Sequence, residues 1–94
     1  MQVEYNFFGP MRDAVGTKTV RREVPTGATV GEALRAVCEE FDGLEPHLFE
    51  DGDLLDRVTV TVNARNVRQL DGAETTLADG DVLRLAPPVV GGGR

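Results

Sequence analysis

Few residues in this sequence are equipped for chemistry. Cys38 is the single thiol and His47 the single imidazole. Cys38 falls on the apolar stripe of a helix, where a free cysteine packs as a small hydrophobe. His47 follows Pro46 in a connector with no Cys or Ser beside it. Both read as structural residues. One thiol cannot close an intramolecular disulfide, and with one histidine it cannot supply the four ligands of a tetrahedral zinc site. The acidic group Glu50, Asp51, Asp53 and Asp56 has the density of a cation loop. It lacks the alternating spacing and closing glutamate of a calcium hand, so it reads as solvated loop. No Gly-x-Gly-x-x-Gly or phosphate-loop pattern opens a helix. No metal and no bound cofactor are expected.

What remains is the ending Pro87-Pro88-Val89-Val90-Gly91-Gly92-Gly93-Arg94. Prolines hold a backbone extended, and glycines, having no Cβ, thread a channel that excludes every other residue. From Pro88 to Gly93 the extended chain reaches roughly 17–20 Å, at about 3.3–3.6 Å per residue. That is enough to deliver a carboxylate into another protein's active site. Alone, a glycine run reads first as a frayed end.

The elements that must hold such a tail follow from the periodicity. Met1 to Phe8 alternates Val3, Tyr5 and Phe7 with polar residues, the pattern of a half-buried strand. Gly9-Pro10 stops it, and Met11 to Val15 has room for one helical turn. A second strand is predicted over Thr17 to Val24, with Val20 and Val24 inward, before turn residues Pro25-Thr26-Gly27. Thr29 and Glu32 have capping-box spacing, and Val30, Leu34, Val37, Cys38 and Phe41 make one apolar stripe of a helix ending at Asp42-Gly43. Leu44 to Phe49 is a compact connector. Val58, Val60 and Val62 mark the clearest strand, Asn63 to Asn66 a hairpin turn, and Val67 to Leu70 a short strand. A last strand, Val82 to Ala86, ends at Pro87-Pro88, which lack the amides a ladder needs. The fold class is α+β, with residues 1–88 as the domain and 89–94 as a flexible tail.

Composition narrows the function. At 94 residues the chain holds one domain, expected to be a monomer. A formal net charge of −6 argues against nucleic acid, whose phosphates it would repel. The longest apolar run falls far short of the roughly 20 residues needed to span a bilayer, so no membrane partner is expected and the cytoplasm is the expected location. Lys18 is the only lysine.

Several stretches, in order and spanning essentially the whole chain, resemble one family. They are Phe7-Phe8 with Arg12-Asp13-Ala14-Val15-Gly16, the helix opening Ala28-Thr29-Val30-Gly31-Glu32-Ala33-Leu34, and Val60-Thr61-Val62-Asn63. Leu77-Ala78-Asp79-Gly80-Asp81 and Pro87-Pro88-Val89-Val90-Gly91-Gly92 complete the set. The chain is similar to the MoaD/ThiS family of ubiquitin-like sulfur carriers, and within it to the small archaeal modifier proteins. The resemblance implies a β-grasp roll, a mixed sheet of four to five strands packed on one main helix.

It also implies that the chain has no catalytic residue of its own. In the family, a ubiquitin-activating-type enzyme uses ATP to adenylate the terminal glycine, here Gly92. The product becomes a thiocarboxylate, for molybdenum cofactor synthesis or tRNA thiolation, or is joined to a target-protein lysine. Pro87, Pro88, Val89, Val90 and Gly91 would guide and anchor the tail, and Lys18 is the acceptor open to self-conjugation. Gly93 and Arg94 depart from the family ending. A bulky cation does not fit a channel selected for glycine, so a trimming protease is expected to remove both, or Arg94 alone with Gly93 as the reacting end. A large subunit of molybdopterin synthase is a further partner the family implies. A reading from another class is a non-catalytic β-grasp interaction module that never uses its terminus.

Overall fold

The structure, a computed structural model, describes residues 1–88. Its strands are β1 (Gln2–Phe7), β2 (Thr19–Glu23), β3 (Phe49–Glu50), β4 (Asp53–Leu54), β5 (Thr59–Val62), β6 (Arg65–Asn66) and β7 (Val82–Ala86). The helices are α1 (Gly9–Val15) and α2 (Val30–Glu40), and three short 3-10 turns lie at Glu45–His47, Val67–Gln69 and Gly72–Glu74. Five strands form one sheet in the order β2-β1-β7-β5-β6, and β3 and β4 form a separate hairpin. Only β1 and β7 run parallel, so the sheet is mixed. That is the β-grasp roll the resemblance implies.

The alternation in β1 buries Val3, Tyr5 and Phe7 completely. With Val60 from β5 and Leu83 and Leu85 from β7 they face Val30, Ala33, Leu34 and Val37 of α2. Tyr5 reaches across this core, its hydroxyl donating to the Ala33 carbonyl at 2.9 Å. That bond satisfies a phenol buried among apolar groups. Burial, then the nearby Glu40 carboxylate, pushes its ionisation up to about 12.

The capping box is formed as expected. The Glu32 amide donates to Thr29 Oγ1 at 3.2 Å, and the Thr29 amide donates to Glu32 Oε1 at 2.9 Å. The far end of α2 differs from expectation. The helix stops at Glu40 because Phe41 turns extended (φ −118°, ψ 106°) to pack against the core. Gly43, at φ 88°, makes the following turn that carries Leu44 inside.

Three other expectations are corrected by local geometry. Gly9-Pro10 opens α1 as well as ending β1, since Pro10 lies in the first turn, where no amide is needed. Asp51-Gly52 is not open loop but the left-handed turn of the β3–β4 hairpin (φ 53° and 84°), with Arg35 Nη2 donating to the Gly52 carbonyl at 2.6 Å. The strand expected at Val67 to Leu70 is a 3-10 turn. Asn63 and Ala64 (φ 49° and 72°) form a two-residue turn, so the returning strand is only Arg65–Asn66. Asn66 Oδ1 then accepts from the Arg68 amide at 2.9 Å and caps the 3-10 turn instead of extending the ladder.

Thr29→Ala removes one half of the capping box and is expected to cost about 1 kcal/mol. The measurement is urea unfolding, read as a lower midpoint with an unchanged slope.

Candidate functional site: the tail root and the outer sheet face

β7 lies in the middle of the sheet, so the chain that follows it leaves from between β1 and β5. Leu83 and Leu85 pair with Tyr5 and Phe7 on one side, and Ala86 pairs with Thr59 on the other. The ladder continues to Phe8, whose amide donates to the Leu85 carbonyl at 3.0 Å. Pro87 then ends it. Pro87 and Pro88 are exposed, beside a recess of about 80 Å³ shared with Pro10, Met11, His47, Arg57 and Val58.

Alternation turns Glu4, Asn6, Thr19 and Arg21 to the sheet face away from α2, together with Thr59, Thr61, Arg84 and Ala86. The two halves of this face differ. On the β2–β1 side the polar groups satisfy one another. Thr19 Oγ1 donates to Asn6 Oδ1 at 2.7 Å, Asn6 Nδ2 to Glu4 Oε2 at 3.1 Å, and Arg21 Nε to Glu4 Oε1 at 3.1 Å.

On the β7–β5 side, Phe8, Thr59, Thr61, Ala64, Arg84 and Ala86 line a shallow groove of about 320 Å³. Among the described residues Arg84 has no ion-pair partner, and Thr61 Oγ1 is buried without a hydrogen bond. The groove adjoins the tail root. Charge is divided as well: residues 32 to 56 hold nine carboxylates against one arginine, whereas the outer face carries Arg21 and Arg84 against Glu4 and Glu23.

Residues 5–92 match the ThiS family. The chain belongs to that family. Small archaeal modifier protein 3 of Haloferax volcanii is 45% identical over 92 residues, covering 98% of this chain and all of the relative. The crystal structure of SAMP1 from the same organism superposes with a TM-score of 0.85 at 35% identity, over 98% of this chain and 100% of that one. A chain of the Amycolatopsis orientalis BexX/CysO complex matches with a TM-score of 0.80 at 32% identity, over 96% and 99%.

In this ThiS-family chain the other residues singled out from sequence are scattered. His47 is exposed at the recess, and the acidic group lies on the β3–β4 hairpin and just after it. Among the described residues no three or more Cys, His, Asp or Glu side chains are placed to hold a metal ion, and no helix is long and apolar enough to cross a membrane. Lys18 is exposed, with its ammonium 5.3 Å from the centre of the Phe8 ring. Val89, Val90, Gly91, Gly92, Gly93 and Arg94 lie outside the described residues. The sequence reading placed Phe8 and Thr61 only in stretches that resemble the family, with no part in a site, and gave Arg84 no role. The available signal was an arginine between two leucines in Leu83-Arg84-Leu85, which alternation sends to the outer face.

Cys38 is half-buried, and burial, followed by Glu45, pushes its thiol up to about 11. The thiolate is the reactive form, so Cys38 is expected to alkylate more slowly at pH 8 than an unfolded control. A raised folded-state value favours the protonated form. Its stabilising contribution is therefore complete below the ordinary value of 9.0 and lost as pH rises through about 11. Thermal melts of wild type and Cys38→Ala between pH 8 and 11 are expected to converge as pH rises.

Proposed function

We propose that this chain is a small protein modifier and sulfur carrier, the substrate of an ATP-dependent adenylating enzyme, with Gly92 as the reacting end. One observation carries this reading: the tail is rooted in the central strand, beside an outer-face groove whose arginine and threonine lack partners among the described residues. The family match ending at residue 92, on the second glycine of Gly91-Gly92, supports the choice of terminus. The similarity to a chain of the BexX/CysO complex supports a partner-bound working state.

The chemistry asks little of the carrier. A terminal carboxylate is ionised and unreactive at neutral pH, and transfer of AMP to it supplies a leaving group. Attack by hydrosulfide on the acyl-adenylate expels AMP and leaves a thiocarboxylate, which serves molybdenum cofactor synthesis, through a large synthase subunit, or tRNA thiolation. Attack by a target lysine gives an isopeptide bond. This chain supplies the extended Pro87-Pro88 exit, the narrow glycines and a docking face. In the groove, Phe8, Ala64 and Ala86 accept an apolar side chain while Arg84 meets a carboxylate of the enzyme. Copies of this chain that are lysine-linked to one another join through Lys18, its only lysine.

The same groove would serve an interaction module that never uses its terminus, and pyrophosphate exchange separates the two. Incubated with its cognate adenylating enzyme, ATP and labelled pyrophosphate, a chain ending at Gly92 is expected to exchange and one ending at Arg94 is not. Exchange by a chain ending at Gly93 alone moves the reacting end one residue on. No exchange by any ending leaves the interaction module. Arg84→Glu is expected to raise KM for the carrier about 10-fold with kcat retained, as loss of a docking charge does. Lys18→Arg is expected to abolish lysine-linked multimers, read by intact mass.

A further inference from the structure

The geometry points to Gly9 as a positioning residue for the tail. Its missing side chain lets the Pro87 ring pack on the backbone of the β1–α1 corner, and that contact sets the direction in which the chain leaves β7. The inference rests on the reading that the tail is delivered to an adenylating enzyme.

Gly9 has φ +59°, a left-handed conformation that strains an L side chain. A Cβ built there would lie 3.0 Å from both Cδ and Cγ of Pro87 and 3.9 Å from its Cβ, the three nearest heavy atoms. The Pro87 ring therefore occupies the space a side chain would need. The corner that carries Gly9 is well anchored: Phe8 is bonded to Leu85 through its amide, and Met11 of α1 is only 2% exposed.

This contact comes where the ladder fails. Phe8 to Leu85 is the last β1–β7 bond before Pro87, which has no amide to donate. The next restraint on the path is the ring against Gly9. Small errors there would be amplified by length, since a tilt of roughly 10° at Pro87 would move the end of a tail held extended over roughly 17 Å by about 3 Å. A reacting atom misplaced by about 1 Å costs about 100-fold in rate, and rotation within the glycines recovers part of that loss.

The test is a double-mutant cycle in the exchange assay, using chains ending at Gly92. Gly9→Ala is expected to lower kcat about 10-fold with KM within about 2-fold, because the docking face is untouched. Pro87→Ala removes Cγ and Cδ, and Gly9→Ala in that background is expected to cost at most about 2-fold more. Backbone strain at residue 9 would act equally in both backgrounds. An unchanged kcat in Gly9→Ala, or the same loss with and without the ring, overturns the proposal.

If Gly9→Ala does not fold, Pro87→Ala alone carries the test. It is expected to lower kcat about 10-fold at unchanged KM, and an unchanged kcat overturns the proposal. A nuclear Overhauser contact between Gly9 Hα and Pro87 Hδ reads the packing without any enzyme. Its absence in wild type sinks the inference. Its presence alongside failed adenylation sinks the functional reading and leaves the packing standing.

Discussion

β1 and β7 run side by side at the centre of the sheet, with Tyr5 against Leu83 and Phe7 against Leu85. These side chains are fully buried, so the pairing that closes the sheet also builds the floor of the core. Two segments nearly the whole chain apart in sequence meet there, and bringing them together carries the entropy of closing a long loop. The return is the burial of the sheet's inner face against α2. Because the last strand is central rather than at an edge, the chain that follows it leaves from a point fixed on both sides.

The two faces of the sheet then divide the work. The inner face is apolar and complete, with even the Tyr5 hydroxyl satisfied by Ala33. The outer face is complete only over β2 and β1, where Thr19, Asn6, Glu4 and Arg21 bond one another. Beside the tail root it is incomplete, with Phe8 and Ala86 half-buried and Arg84 exposed. Water hydrates the exposed Arg84 but not the apolar walls beside it, so the partner proposed above, with an apolar group and a carboxylate, would cover this groove better than water does. On an acidic protein, this placement would also steer such a partner away from the carboxylate-rich side of α2.

Much of this was legible in the amino-acid sequence because it is local. The alternation of Val3, Tyr5 and Phe7, the capping spacing of Thr29 and Glu32, the stripe along α2, and the proline stop at Pro87 each depend on neighbours within a turn or a strand. The errors fell where another interaction, distant for Phe41 and local for Asn66, overrode the periodic signal. Phe41 leaves the helix early to reach the core, and Asn66 caps a turn where periodicity favoured a strand. Arg84 looked like an ordinary exposed position, because its importance depends on what Phe8, Thr61 and Ala64 contribute beside it.

The sequence by itself therefore determined the longer strands, the capped helix, the fold class, the family and the glycine-ended tail. The tertiary structure decided which face beside the tail is unfinished, that Lys18 lies over Phe8, and that Gly9 makes room for Pro87. The physical reason is range. Hydrogen-bond spacing and hydrophobic period act over a few residues and leave a trace in one stretch of sequence. A groove or a ring packed on a distant glycine exists only once segments many residues apart have been brought into contact.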